Sequence, residues 1–262
     1  MKKRQQPHTT QTPSVASPTL SAGEKVHEAS LLSDAGGKLL VSANKMAKSG
    51  KIEKFREETN KAIENYNEAI KLLLEVSESA ENSQILKDRA MGFLNVCYYN
   101  MYRCYNELVN WLPQTPPPSR NKHIQGRLEI IAYIEKTLFY LDKVPPKILR
   151  PDEQEEPDKN KHKLIEHSLK LIKTLAVNMP KKNATGLTQI IQLSERVVVV
   201  AEELRSSNSK FSGELAKEED VVRYHRDLAT HCMQLAHNLE KEHNKDEAAK
   251  LYGKAKFHLL RL

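Results

Sequence analysis

Glycine is scarce in this chain, nine residues of 262, and none stands in a G-x-G-x-x-G, G-x-x-x-x-G-K-S/T or G-x-S-x-G arrangement. Loops that cradle a phosphate, and the strained elbow that presents a serine nucleophile, are thereby excluded. H-E-x-x-H is absent too, which removes the commonest helical zinc-hydrolase signature. Three cysteines, Cys97, Cys104 and Cys232, are too few for a disulfide framework and suit a reducing compartment. No apolar run approaches the roughly 20 residues that a membrane-crossing helix needs. The densest, VVVVA at 197–201, is flanked by Glu195, Arg196, Glu202 and Glu203. The opening MKKRQQPHTTQTPSVASPTLS is basic but has no apolar core behind it, so no secretory signal is expected and the predicted location is cytoplasmic. No pair of carboxylates lies in an apolar setting that would raise a pKa for acid–base work. The chain is therefore expected to be no enzyme, and to hold no metal and no cofactor.

What remains is polar and helical in character. Apolar residues make up 39% and charged residues 29% of a chain long enough to bury a sizeable core. Residues 1–22 are rich in Ser, Thr, Pro and Gln without periodicity and read as a disordered polar tail. Residues 23–262 read as one helical, repeat-like domain with Pro-rich loops near 113–123 and 144–162 and further breaks at 179–186 and 205–213. Helices are predicted at about 23–34, 37–49, 51–79, 82–112, 123–143, 160–178, 185–206, 217–241 and 244–261, with Thr185 and Asn244 as N-caps. Sustained alternation with turn signals is absent, so the predicted class is all-α.

The most informative helix is RAMGFLNVCYYNMYRCYNELVNWL, residues 89–112. Ala90, Leu94, Cys97, Met101, Cys104, Leu108 and Trp111 follow a 4-3-4-3-4-3 spacing, and Tyr98, Tyr102, Tyr105, Val109 and Leu112 run beside them. The arc is wider than a surface helix needs, which predicts packing against neighbours on two sides. Cys97 and Cys104 lie about 10 Å apart along such a helix and read as small core residues, not a bonded pair.

Near both ends a small–aromatic–small stripe recurs, Ala62–Tyr66–Ala69 and Ala248–Tyr252–Ala255. This A-x-x-x-Y-x-x-A pattern is similar to the second-helix signature of tetratricopeptide repeats, helix–turn–helix units of about 34 residues. In the C-terminal copy Leu235 and Ala236 match the first helix of the unit, Leu239 stands where an aromatic is usual, and Asn244 and Lys245 lie near the turn. In the N-terminal copy Glu53 falls where an aromatic is common. SLKLIKTLAVNMP, with Ser168, Ile172, Leu175 and Pro180, is a degenerate third match. Microtubule-interacting-and-trafficking domains, which are three-helix bundles, look like the same spacing. The resemblance implies antiparallel helical hairpins stacked as a short tetratricopeptide-like solenoid or bundle, with Ala62, Tyr66, Ala69, Ala248, Tyr252 and Ala255 as packing residues.

Candidates for chemistry are few. His225, His231, Cys232 and His237 cluster in one helix, and His225 and Cys232 share a face. Cys232 nevertheless belongs with Leu228 and Leu235, so the expected arrangement is a core cysteine with solvated histidines. Tyr98, Tyr102 and Tyr105 are expected in the core, while Tyr99 lies off both stripes and is a candidate for partner contact. The acidic run PDEQEEPD at 151–158 is expected to be a solvated loop.

These features predict a non-enzymatic scaffold or adaptor that binds a peptide or partner helix through a helical groove. The rival is a nucleic-acid-binding helical protein, suggested by a net charge of +7 and a pI near 9.1. Lys and Arg are interleaved with Glu, as in EKFREETNK at 53–61, which disfavours it. Lys/Glu/Asn-rich helical chains with polar N-terminal tails also resemble bacterial effectors. The last predicted helix crowds Phe257, Leu259, Leu260 and Leu262 into its final turns, more than one face can hide. That end is expected to dock a partner or a second copy of the chain as a homodimer.

Overall fold

The computed structural model describes residues 20–112, 120–178, 184–207 and 209–262. Among these the regular structure is helical throughout: α1 (Ala22–Lys48), α2 (Ile52–Glu78), α3 (Gln84–Trp111), α4 (Arg120–Leu141), α5 (Glu156–Asn178), α6 (Ala184–Ser206), the one-turn α7 (Ser212–Leu215), α8 (Glu218–Lys241) and α9 (Lys245–Leu259). The protein is all-α, built of antiparallel helical hairpins in a stack. Each long helix packs chiefly on the next long one in sequence, and α1 also reaches α3. Most of the predicted tail, residues 1–19, lies outside the described residues, as do 113–119 of the first Pro-rich loop.

Local chemistry sets the ends. Ser21 caps α1 in a reciprocal box, its hydroxyl accepting from the Glu24 amide while Glu24 accepts from the Ser21 amide. The tail therefore stops short of residue 22. Ser83 caps α3 and Asn244 caps α9. The α1–α2 and α8–α9 turns share one geometry. Gly50 at φ +74° and His243 at φ +62° occupy the left-handed position, and the following amide reaches five residues back, Lys51 to Met46 and Asn244 to Leu239.

Four expectations are corrected. Helix α1 runs unbroken where two helices, 23–34 and 37–49, are expected. Gly36 is buried, and a Cβ there would lie 2.8 Å from the Tyr66 ring, so the glycine is a notch for an aromatic and not a stop. The 144–162 segment folds into two 3-10 turns, Pro146–Ile148 and Pro151–Glu153, and α5 starts already at Glu156. The 205–213 break contains the start of α7, where Tyr224 donates to the Leu215 carbonyl. Thr185 is not the cap of α6, which begins one residue earlier.

The broad arc of α3 is packed as its spacing predicts, with Ala90, Leu94, Cys97, Met101, Cys104 and Leu108 buried against α1 and α2. Its tyrosine side meets α4. Tyr105 stacks on Tyr140 at 5.8 Å and lies 5.9 Å from Tyr133, while Tyr98 lies 6.1 Å from Tyr140. Burial pushes the Cys97 and Cys232 thiols up to about 11 and that of Cys104 to about 12, which makes all three inert packing groups. A second cluster joins α5 through α9, and smaller ones bridge α4, α5 and α6.

The two stripes part company. Ala62, Tyr66 and Ala69 are fully buried, but they sit in the middle of α2, with Glu53 on the same unbroken helix. Ala248 and Ala255 are buried across the α8–α9 turn from Leu235 and Ala236, yet Tyr252 is 37% exposed. Its packing role is corrected: the ring lies on the surface and its hydroxyl donates to Glu240.

Candidate docking surfaces

A groove of about 500 Å³ lies where α4, α5 and α6 meet. Its floor is the edge of a small apolar cluster, formed by Leu138, Leu164 and Val200. Val199 stands on its wall, 52% exposed. Its polar lining comprises Glu135 from α4, Asp142 just past its end, Lys161 from α5, and Glu195, Arg196 and Glu203 from α6. Arg196 bonds Glu135 at 2.7 Å, Lys161 bonds Glu203 at 2.9 Å, and Glu195 is held from outside by Lys254. Burial pushes the Glu135 carboxyl above its usual range, against the pull of Arg196. The sequence reading missed this site, although VVVV carried a signal: four consecutive helical valines span every face, so one must point out. Val197 and Val198 are buried, and Val199 is the exposed one.

The second surface is the outer face of α9. Phe257, Leu259, Leu260 and Leu262 are all exposed, Leu260 most, at 78%. Leu259 and Leu260 join Tyr252, Ala255, Lys256 and Met233 around a shallow hollow of about 260 Å³. Arg261 lies 4.5 Å over the Phe257 ring.

Beneath that face lies an arrangement the sequence did not reveal. His225 of α8 and His258 of α9 are buried, their Nδ1 atoms 2.9 Å apart. The Nε2 of His225 lies 3.2 Å from Glu202 of α6, which also accepts from Arg261 at 3.0 Å. With Nε2–H of His225 donating to the carboxylate, its Nδ1 is a free acceptor and His258 must donate from Nδ1. Burial, and then His225, hold His258 below the usual histidine range. The expectation of a solvated His225 is thus corrected, since this ring is a buried polar tie between three helices. His237 is exposed near Glu240, and His231 is half-buried beside Cys232 on α8. Among the described residues no group of three His, Cys, Asp or Glu side chains converges to hold a metal ion.

Tyr99 is engaged within the chain. Its hydroxyl donates to Glu153 at 3.0 Å. Glu153 is buried and also accepts from the Arg150 guanidinium and amide, at 2.8 and 3.0 Å. The acidic run is corrected accordingly: it is a folded plug pinned to α3 and not a wholly solvated loop. These hydrogen bonds hold the Glu153 carboxyl below its usual range despite burial.

No family model matches the chain, and no curated protein matches it. Among solved structures, similarity is found to one titled "DHF58 filament", at 15% identity over 90% of this chain and 95% of that one, with a TM-score of 0.25. Another, titled "Computational Design of Self-Assembling Cyclic Protein Homooligomers", is 12% identical over 90% of this chain and 88% of that one, with a TM-score of 0.29. Scores this low leave the assemblies named in those titles as properties of those proteins. No helix among the described residues is long and apolar enough to cross a membrane.

Proposed function

We propose that the chain is a non-enzymatic helical scaffold that docks a peptide or partner helix in the α4–α5–α6 groove. One observation carries the reading: an apolar floor of Leu138, Leu164 and Val200 lies open beside an exposed Val199, within a rim of charged side chains. Apolar side chains left in water beside a concavity are the usual anchor for a partner's apolar stripe. A stack of hairpins suits the task, because neighbouring helices leave such grooves between them while the fold is carried by contacts elsewhere. The exposed apolar face of α9 is the second surface of the proposal, open to a partner or to a second copy. The test places a photo-crosslinking residue at position 199 in the full chain and compares capture with the same probe at exposed Ile85, on α3 and outside the groove lining. Capture from position 199 that disappears when Leu138 is changed to Asp, with helicity retained, supports the groove. Equal capture from both positions overturns it.

A further inference from the structure

The groove has a size and a charge, and both narrow its occupant. Its lining spans residues 135–142 along and just past the end of α4, 157–164 on α5 and 195–203 on α6. At 1.5 Å of rise per residue each wall is about 10–12 Å long, the length of two helical turns. An occupant of that length offers the groove an i, i+3/i+4, i+7 stripe, two or three apolar anchors for one narrow floor.

The charge is opposite to that of the chain. Against a formal net charge of +7, the groove lining carries four carboxylates, Glu135, Asp142, Glu195 and Glu203, and two cations, Lys161 and Arg196. Each cation is bound to a lining carboxylate, so neither offers a free positive charge to a ligand. Among the described residues Asp142, exposed at the mouth just past the end of α4, forms no ion pair. Glu135 is partly desolvated and held above the usual carboxylate range, so a further cation delivered beside it stabilises its ionised form. The lining keeps a net of two negative charges, so an anionic ligand is disfavoured and a cationic one finds Asp142 open at the mouth.

We infer that the occupant of the groove is a short amphipathic helical segment whose apolar stripe is flanked by Lys or Arg. The inference rests on the docking reading above and adds the partner's chemistry. Its apolar side chains lie on Leu138, Leu164, Val199 and Val200, and a flanking cation reaches Asp142 at the mouth.

The experiment uses the full chain and two fluorescein-labelled synthetic peptides of about 14 residues, some 21 Å as helix. Both carry the same leucine stripe; one has lysines flanking it and the other glutamates. Anisotropy is read with the unchanged protein, with Val199→Lys and with Asp142→Lys. Because positions 199 and 142 are exposed, circular dichroism is expected to show both variants folded. The lysine peptide is expected to bind at least about ten-fold more tightly than the glutamate peptide, and to lose about ten-fold or more with Val199→Lys. Asp142→Lys is expected to weaken the lysine peptide alone. Equal binding of the glutamate peptide, itself lost with Val199→Lys, overturns the cationic partner while leaving the groove as the docking site. Lysine-peptide binding that ignores Val199→Lys overturns the groove itself, and with it the inference.

Discussion

The Tyr66 ring of α2 lies against Gly36 of α1, and the two residues make one interaction. Any Cβ at position 36 collides with the ring, so Gly36→Ala is expected to destabilise by about 1–3 kcal/mol, the range for overpacking a filled core. The Tyr66 ring is fully buried, and its hydroxyl finds no hydrogen-bond partner among the described residues. Burial pushes its pKa far up, as expected where the charged form has nothing to lean on. Tyr66→Phe is therefore expected to hold or raise stability, by up to about 1 kcal/mol, because it removes a desolvated group without opening a cavity. Tyr66→Ala should cost about 3–5 kcal/mol. Urea midpoints of the three variants decide; a lower midpoint for Tyr66→Phe would mean that the hydroxyl is bonded in solution. His243 offers the opposite case. A side chain in the left-handed region costs about 1–2 kcal/mol, and glycine's extra freedom in the unfolded chain costs roughly 0.5–1 kcal/mol. His243→Gly, which copies Gly50 of the other hairpin, is thus expected to stabilise by about 0.5 kcal/mol.

At the scale of the element, α9 is held by few apolar groups and by polar ties. Ala248 and Ala255 are small, and the buried contact nearest the end of α9 is His258 on His225. The groups facing that pair are Glu202 and Glu195 of α6, Lys254 of α9 and Arg261 just past its end. A proton on both Nδ1 atoms would set N–H against N–H across 2.9 Å. His258 is held below its ordinary value of 6.5 by burial first and by His225 next, and His167 and His231 are held below it by burial. A folded-state value below the unfolded one means that the neutral form is favoured by folding. The stability is present in full above about pH 6.5 and is lost as pH falls through the lower folded values. Acidification from about pH 7 to 5 is expected to lower the urea midpoint, and His258→Gln is expected to flatten part of that dependence. A midpoint independent of pH over that interval would show that these rings titrate as they do in the unfolded chain. This tie was not legible in the sequence, because 33 residues separate the two histidines and only the packing of α9 on α8 joins them. The helices themselves were legible, since an apolar arc such as that of α3 repeats within one element. Gly36 misled for a related reason: a glycine that ends a helix and one that admits a neighbour's ring look alike until the neighbour is in place. Tyr252 misled because A-x-x-x-Y-x-x-A fixes spacing and not which side of the helix finds a partner. The groove is assembled from three helices, so its charge and floor exist only after they pack.

Across the whole molecule, contacts run from each helix to the next, so the stack behaves as a quasi-one-dimensional array in which a perturbation is felt locally. Such an array must leave or cover an apolar face at each end, and here the α9 end is open. Phe257 and Leu260 are 52% and 78% exposed, so they add little to the core and much to the apolar surface in water. The change Phe257→Ser with Leu260→Ser is therefore expected to leave the helical signal and the urea midpoint nearly unaltered, because exposed positions carry small effects, about 0.5 kcal/mol or less each. Association read by sedimentation velocity is expected to fall, whether the unchanged chain pairs with a second copy or holds an added partner. Hydrogen exchange gives the spatial check: amides of α8 and α9 are the only ones expected to change, while those of α1–α3 keep their protection. Loss of helicity throughout would place these side chains in a shared core and the array reading would fail. Association equal to that of the unchanged chain would remove the α9 face as a docking surface and leave the α4–α5–α6 groove to carry the function alone.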